Sequence, residues 1–227
     1  MINKPYEVII IGSGATGGIA ALTMAKAGVR VLIIERGPEL EIEEAIGTEP
    51  CNTIRRLIGV TTGKYQSQPQ HPGFWKSNPL LYADKKINPY THPPKAPFMW
   101  TQGNQVGGRS LTWGGITLRL GKEDFEASKD KEYKLEWPIN YKDLESHYSE
   151  IEDFLKIHGN KDDLNQLPDG KYIDPMPFTE SEIRFASNIK EKLNIPFIHS
   201  RGFGPNKDKT RWPQYSSLGS TLKEALR

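Results

Sequence analysis

The residues with the clearest chemical purpose are glycines. Gly12-Ser13-Gly14-Ala15-Thr16-Gly17 forms a G-x-G-x-x-G hexad. It follows a continuous β-branched run over residues 6–11 and opens a stretch of small and apolar residues, the context in which the pattern means a phosphate-binding turn. Gly12 permits the tight turn, Gly14 leaves the backbone bare where a pyrophosphate must approach, and Gly17 lets the following helix pack close to the strand. With Ser13, Ala15 and Thr16 these residues present the free N–H groups of a helix start, whose dipole favours an anion. Glu35 closes a second apolar run 18 residues after Gly17. A carboxylate there accepts hydrogen bonds from the ribose hydroxyls of an adenine dinucleotide, and the adjoining Arg36 belongs to the same candidate site. An acid at this place argues against a 2′-phosphate. The choice between NAD and FAD stays open on these residues.

A second glycine cluster runs Gln105-Val106-Gly107-Gly108-Arg109-Ser110-Leu111-Thr112-Trp113-Gly114-Gly115. Paired glycines on both sides of a Ser/Thr/Trp core suit backbone pressed against a flat ligand, with hydroxyls and an indole in reach; tight packing at a bulge is the alternative. Other chemistry is sparse. His71, His92, His147, His158 and His199 show no close ligand spacing, and Cys51 is the single cysteine. No metal site is expected, and no internal disulfide. His147 and His158 are expected on the exposed side or end of a helix.

The elements that must position these residues follow from periodicity. Residues 6–11 read as a strand covered on both faces in a parallel sheet. Residues 14–27 read as a helix with Ile19, Leu22, Met24 and Ala25 toward the sheet, ended by Gly28. Residues 29–34 are the second buried strand. The three make one right-handed βαβ crossover. From about 38 to 100 regular pattern fades, with Pro69, Pro72, Pro79, Pro89, Pro93, Pro94 and Pro97 punctuating a segment rich in His, Tyr and Trp. An ordered, irregular covering loop is expected there. After Trp137-Pro138-Ile139, Asn140 sits where an N-cap belongs, ahead of an amphipathic helix striped by Leu144, Tyr148, Ile151 and Leu155. A further helix is expected over about 181–193, a short strand over 195–198, and a helix start at the end of the chain.

Composition narrows the function class. The 227 residues carry 30 basic and 28 acidic side chains, a formal charge of +2, too even to argue for nucleic acid or an anionic membrane surface. Apolar residues make up 36%, and no stretch approaches the roughly 20 consecutive apolar residues of a membrane span. No secretion signal is read at the start, which suits a cytoplasmic location.

The two glycine motifs together resemble the glucose–methanol–choline (GMC) family of FAD-dependent oxidoreductases. The likeness runs from Tyr6 through the hexad to Glu35-Arg36-Gly37, resumes at Val106 to Gly115, and continues in Trp137-Pro138-Ile139 and the helix after it. It implies an α/β fold, with a Rossmann-like FAD-binding βαβ core, an irregular covering loop and part of a substrate domain. The resemblance implies that Gly12, Ser13, Gly14, Ala15, Thr16, Gly17, Glu35 and Arg36 hold the ADP half of FAD, while Gly107, Gly108, Ser110, Thr112 and Trp113 lie nearer the isoalloxazine. Some members carry a flavin-linked histidine at the position of Thr112; a threonine cannot form that bond, so noncovalent FAD is implied.

In that family a histidine takes the hydroxyl proton of an alcohol while hydride passes to the flavin, and nothing in this sequence matches it. Two strands are legible where a doubly wound sheet needs about five. The expected division is an FAD-binding region over 1–120 and a partial, truncated substrate or cap region over 121–227, the whole reading as the N-terminal part of an enzyme. Its substrate would be a small alcohol or sugar, and its second half could be a separately encoded polypeptide. The alternatives are a non-catalytic truncated dinucleotide-binding remnant and an NAD-dependent dehydrogenase, which would need a third strand.

Overall fold

The structure is a computed structural model describing residues 5–63, 78–83, 86–98, 102–127 and 137–227. Along the chain run β1 (Val8–Ile11), α1 (Ala15–Lys26), β2 (Val31–Ile34), α2 (Ile42–Ile46), α3 (Glu49–Thr61), α4 (Lys122–Glu126), α5 (Tyr141–Leu155), α6 (Glu180–Leu193) and α7 (Thr221–Ala225). Single 3-10 turns lie at Pro79–Leu81, Gly108–Leu111 and Ser217–Gly219. The chain divides into two compact units, Met1–Trp113 with Asn206–Arg227, and Gly114–Pro205. The last residues of the chain belong to the first unit.

In the first unit β1 and β2 pair in parallel, Val8 opposite Val31 and Ile11 opposite Ile34, with α1 as the crossover. The βαβ core is thus an α/β, Rossmann-like arrangement. Cover is one-sided among the described residues. Ile11 is 88% exposed, and Ile9 and Ile34 are also exposed. That corrects the expected two-sided burial: β-branched runs report a strand, but which of its faces finds a neighbour depends on residues far away in sequence. The buried side of α1 is Gly18, Ala21 and Leu22, with Ala25 exposed. That side meets α7 as well as the sheet, and Gly18 packs directly on Thr221 and Ser217.

The segment expected to be irregular from 38 to 100 contains two helices. α3 is capped by Thr48, whose hydroxyl accepts from Cys51 N, and carries a proline in its first turn. Both are ordinary start signals, and Ile54, Leu57 and Ile58 follow at helical spacing. Residues 64–77, 84, 85 and 99–101 of that segment, His71 among them, lie outside the described residues. Ala45, Leu81 and Leu111 form a small buried cluster, with Leu40, Tyr82, Trp212 and Leu218 packed on it. It ties α2 and the turns at 79–81 and 108–111 to the returning C-terminal segment.

The second unit is centred on arginines. Arg119 is buried and donates through Nε and Nη2 to Glu152 at 2.8 and 2.6 Å, with Tyr141 Oη and Ser149 Oγ each at 3.0 Å. The Glu152 bonds hold its pKa above the ordinary guanidinium value, against the opposing pull of burial. Arg201, 1% exposed, donates to Asp162 at 2.9 Å, Asp169 at 2.7 Å and the Pro168 carbonyl at 2.7 Å. Asn140 caps α5 in a reciprocal box with Asp143, and Thr179 caps α6 with Glu182, both readable from sequence. Residues 195–198 are not a strand: no ladder partner reaches them among the described residues, and Phe197 instead packs on Phe178 and Phe185, ring centroids 5.3 and 5.4 Å apart. His158 lies beyond α5, its Nδ1 2.6 Å from the Asp174 carbonyl oxygen, while His147 is exposed on that helix.

Candidate functional site

The hexad does what its glycines require. Gly12 N continues the ladder by donating to Ile34 O at 2.8 Å. Its φ of +93° lies in the region that side chains avoid. A Cβ on Gly17 would collide with the Gly12 carbonyl, so the helix start can sit this close to the strand only with glycine. α1 begins without a side-chain cap and without an acid in its first turn. Its first N–H groups therefore keep their capacity to bind an anion, reinforced by the helix dipole. A Cβ built on Gly12 or Gly14 would meet open space, with no atom nearer than 3.9 Å.

Two clefts run along this turn. One, of about 460 Å³, is lined by Ile11, Gly12, Gly14 to Gly17, Arg109, Ser110 and Trp113. The other, of about 410 Å³, extends past Ile34, Glu35 and Arg36 to residues 102–105 and Gly108. They share Ile11, Gly12, Gly14 and Arg109 and so form one groove from the end of β2, across the hexad, to Trp113.

Ser13 is the hub beneath that groove. Only 2% exposed, it donates to Glu35 Oε2 from both its amide, at 2.9 Å, and its hydroxyl, at 2.7 Å. Its Oγ accepts from Gly107 N at 3.0 Å, and its carbonyl accepts from Ser217 Oγ at 2.8 Å. Glu35 Oε1 accepts from Gly37 N at 2.8 Å. Burial alone would push the Glu35 carboxyl up; the bonds from Gly37 and Ser13 outweigh it and hold the pKa below the usual glutamate value, so the group is ionised at neutral pH.

The double-glycine loop is pinned beside the hexad. Val106 N donates to Pro38 O at 2.9 Å, Arg36 Nε to Asn104 Oδ1 at 3.0 Å, and Gln105 Nε2 to Gly108 O at 2.9 Å. Ser110 Oγ donates to Gly107 O at 2.6 Å and accepts from Ser217 N at 3.0 Å. Trp113 Nε1 donates to Tyr215 O at 3.0 Å. The structure thus brings Gly12 to Gly17, Glu35, Arg36, Gly108, Ser110 and Trp113 to one groove, with Ser13 and Gly107 as its buried support. Thr112 is placed apart. It lines a separate cavity of about 610 Å³ with Asn52, Asn78 and Tyr215, for which Trp113 is the shared wall. Ser217 braces this groove from outside both motifs, and Gln105 and Arg109 line it from within the second glycine cluster. Ser217 lies in a serine-rich segment with no motif, and only the return of that segment to the hexad gives it a role.

Gln105 provides a test of fit. It is 1% exposed, lines the cleft beside Glu35, and its Oε1 has no hydrogen-bond partner. A buried acceptor without a partner, uncapped helix N–H groups and open space over two glycines suit a ligand carrying both an anion and hydrogen-bond donors. The ADP half of FAD has both. Among the described residues no three of His, Cys, Asp and Glu gather as a cation site, and no helix is long and apolar enough to cross a membrane.

Comparison with known proteins agrees with this geometry. Residues 5–55 match the FAD binding domain family. Paromamine 6′-oxidase of Streptomyces fradiae is 24% identical over 163 residues, covering 70% of this chain and 25% of that protein. The fructose dehydrogenase large subunit of Gluconobacter japonicus is 21% identical over 208 residues, covering 88% and 37%. Among solved structures, pyridoxine 4-oxidase from Mesorbium loti aligns with a TM-score of 0.33 at 17% identity, covering 64% of this chain and 24% of that one. The chain spans between a quarter and somewhat over a third of the length of these two relatives. Residues 5–55 thus match an FAD-binding domain, and the hexad within them faces one groove with the double-glycine loop.

Proposed function

We propose that this chain supplies the FAD-binding part of an oxidoreductase that removes hydride from the CH–OH group of an alcohol or sugar. The observation that carries the reading is the groove itself, which joins an uncapped helix N-terminus, an ionised Glu35 and the double-glycine loop. Gly14, Ala15 and Thr16 turn their amides to the pyrophosphate, while Gly12 and Ser13, whose amides are held by Ile34 and Glu35, shape the turn and Gly17 fixes the helix start. Glu35 and Arg36 face the adenosine ribose. Gly107, Gly108, Ser110 and Trp113 bound the side toward the isoalloxazine, with Thr112 behind Trp113. FAD, when bound, supplies the two-electron acceptor; with threonine at 112 it is held noncovalently. Paromamine and fructose, in the names of two relatives, support a hydroxyl-rich small molecule as substrate.

Alcohol oxidation also needs a base of near-neutral pKa within reach of the substrate hydroxyl. Among the described residues the groove is lined by Glu35, Arg36 and Arg109 but by no histidine. The base is supplied by a further polypeptide segment, in this chain's own extension or in a partner, which also covers the bare face of β1 and β2. Anaerobic addition of fructose and simple alcohols to the FAD-loaded chain tests this division. The expected result is bound flavin whose visible bands persist; bleaching by the chain alone would contradict it. The exposed Ile9, Ile11 and Ile34 also suit a second reading, a dinucleotide-binding remnant without turnover. Reading the coding sequence on either side for a matching second half separates the two.

A further inference from the structure

The groove over the hexad is lined by a cation that no described residue pairs with. Arg109 follows the glycine pair, in the turn Gly108–Leu111. It is exposed and lines both sections of the groove where they meet at Gly12 and Gly14. Among the described residues its guanidinium has neither a hydrogen-bond nor an ion-pair partner. Other arginines are committed: Arg56 to Glu49, Arg119 to Glu152, Arg201 to Asp162 and Asp169, and Arg36 to Asn104. The acid bordering the same groove, Glu35, is turned to Ser13 and Gly37, and α1 brings no acid in its first turn. A helix end and an arginine without an ion-pair partner among the described residues therefore border one groove, whose acid, Glu35, is engaged by Ser13 and Gly37. That is the electrostatic arrangement of a phosphate site.

We propose that Arg109 is a ligand-binding residue that pairs with the pyrophosphate of the dinucleotide, an inference that rests on the FAD reading above. The free amides at the start of α1 contact the phosphates; Arg109 adds a charged, forked donor from the double-glycine loop, so that the two glycine motifs close on the same anion. Arginine suits this better than lysine because its planar fork matches two phosphate oxygens at once. The ligand class selected is a nucleoside diphosphate moiety. A nucleoside without phosphates would gain nothing from Arg109.

The test is equilibrium binding of FAD and of ADP to the full chain and to R109Q and R109K, each at low and at moderate salt. R109Q should bind both ligands roughly tenfold more weakly, as expected for loss of a hydrogen bond to a charged group. Its affinity should also depend less on salt than the wild type's, because a screened charge pair has been removed. R109K should recover the salt dependence and part of the affinity. Equal affinity and equal salt dependence in R109Q and wild type would overturn the role of Arg109 and leave the FAD site standing. Failure of the wild-type chain, folded by circular dichroism, to bind either ligand would overturn both. Because Arg109 is exposed, the variants should keep the wild-type unfolding curve.

Discussion

Ser13 and Glu35 are joined twice, amide and hydroxyl of the one to a single carboxylate oxygen of the other. The contact locks the phosphate-binding turn to the end of β2 across 22 residues of sequence, and it uses the acid assigned to ribose recognition as a structural brace as well. Two bonds from Ser13 and one from Gly37 engage this carboxylate, and the Arg36 amide also favours its charged form.

Removing the Ser13 hydroxyl should therefore affect both stability and binding. Ser13→Ala leaves Gly107 N without its buried acceptor and loosens Glu35. A loss of about 1–3 kcal/mol follows from an unsatisfied buried amide, read by urea unfolding, together with weaker FAD binding. Unchanged stability and affinity would show that the hub carries no weight.

Glu35 also makes a prediction about pH. Its native pKa lies below the 4.5 of a free glutamate. Its stabilising contribution is therefore complete above that value and is lost as pH falls through the lower native one. The stability gap between wild type and Glu35→Gln should be constant near neutrality and narrow below about pH 4.5. A gap that widens on acidification would reverse the sign of the shift.

Gly17→Ala tests the close approach of helix and strand. The added Cβ meets the Gly12 carbonyl, which is backbone and cannot rotate aside. Overpacking of this kind costs about 1–3 kcal/mol, and it moves the amides proposed to bind the phosphates. FAD affinity should fall along with thermal stability. An alanine variant that binds FAD normally would mean that the turn is looser than its geometry.

The second unit should fail separately. Glu152→Ala strips the buried Arg119 of its carboxylate, a change that costs about 3–5 kcal/mol when one partner of a buried ion pair is removed. Proteolysis should cut within 114–205 while flavin binding by the first unit persists. Loss of flavin binding in step with the cleavage would contradict that independence.

What sequence could show, and what it could not, divides along the range of the interactions. The hexad, Glu35 and both capping boxes are local patterns whose spacing is imposed by one turn of backbone, and they are legible. α3 inverts the usual pattern: Ile54, Leu57, Ile58 and Val60 are exposed, while Asn52, Arg56 and Gly59 are its buried residues. The exposed Ile9 and Ile11 follow the same strand grammar as buried ones. Arg119 and Arg201 escape periodicity altogether, since a core made of paired charges leaves no hydrophobic signal, in a chain that is only 36% apolar. Ser217 is 204 residues from Ser13, beyond any pattern in a single sequence, and the free guanidinium of Arg109 becomes informative only when the acids around it are seen to face elsewhere.

The central claim is a folded, noncovalent FAD site in this chain. Its most direct test is to incubate the purified protein with FAD, remove unbound cofactor by gel filtration, and record the absorbance spectrum before and after acid precipitation. The account predicts flavin bands co-eluting with the protein at one flavin per chain, all of it released to the supernatant by acid. A colourless protein peak, or flavin that stays with the precipitate, would contradict it.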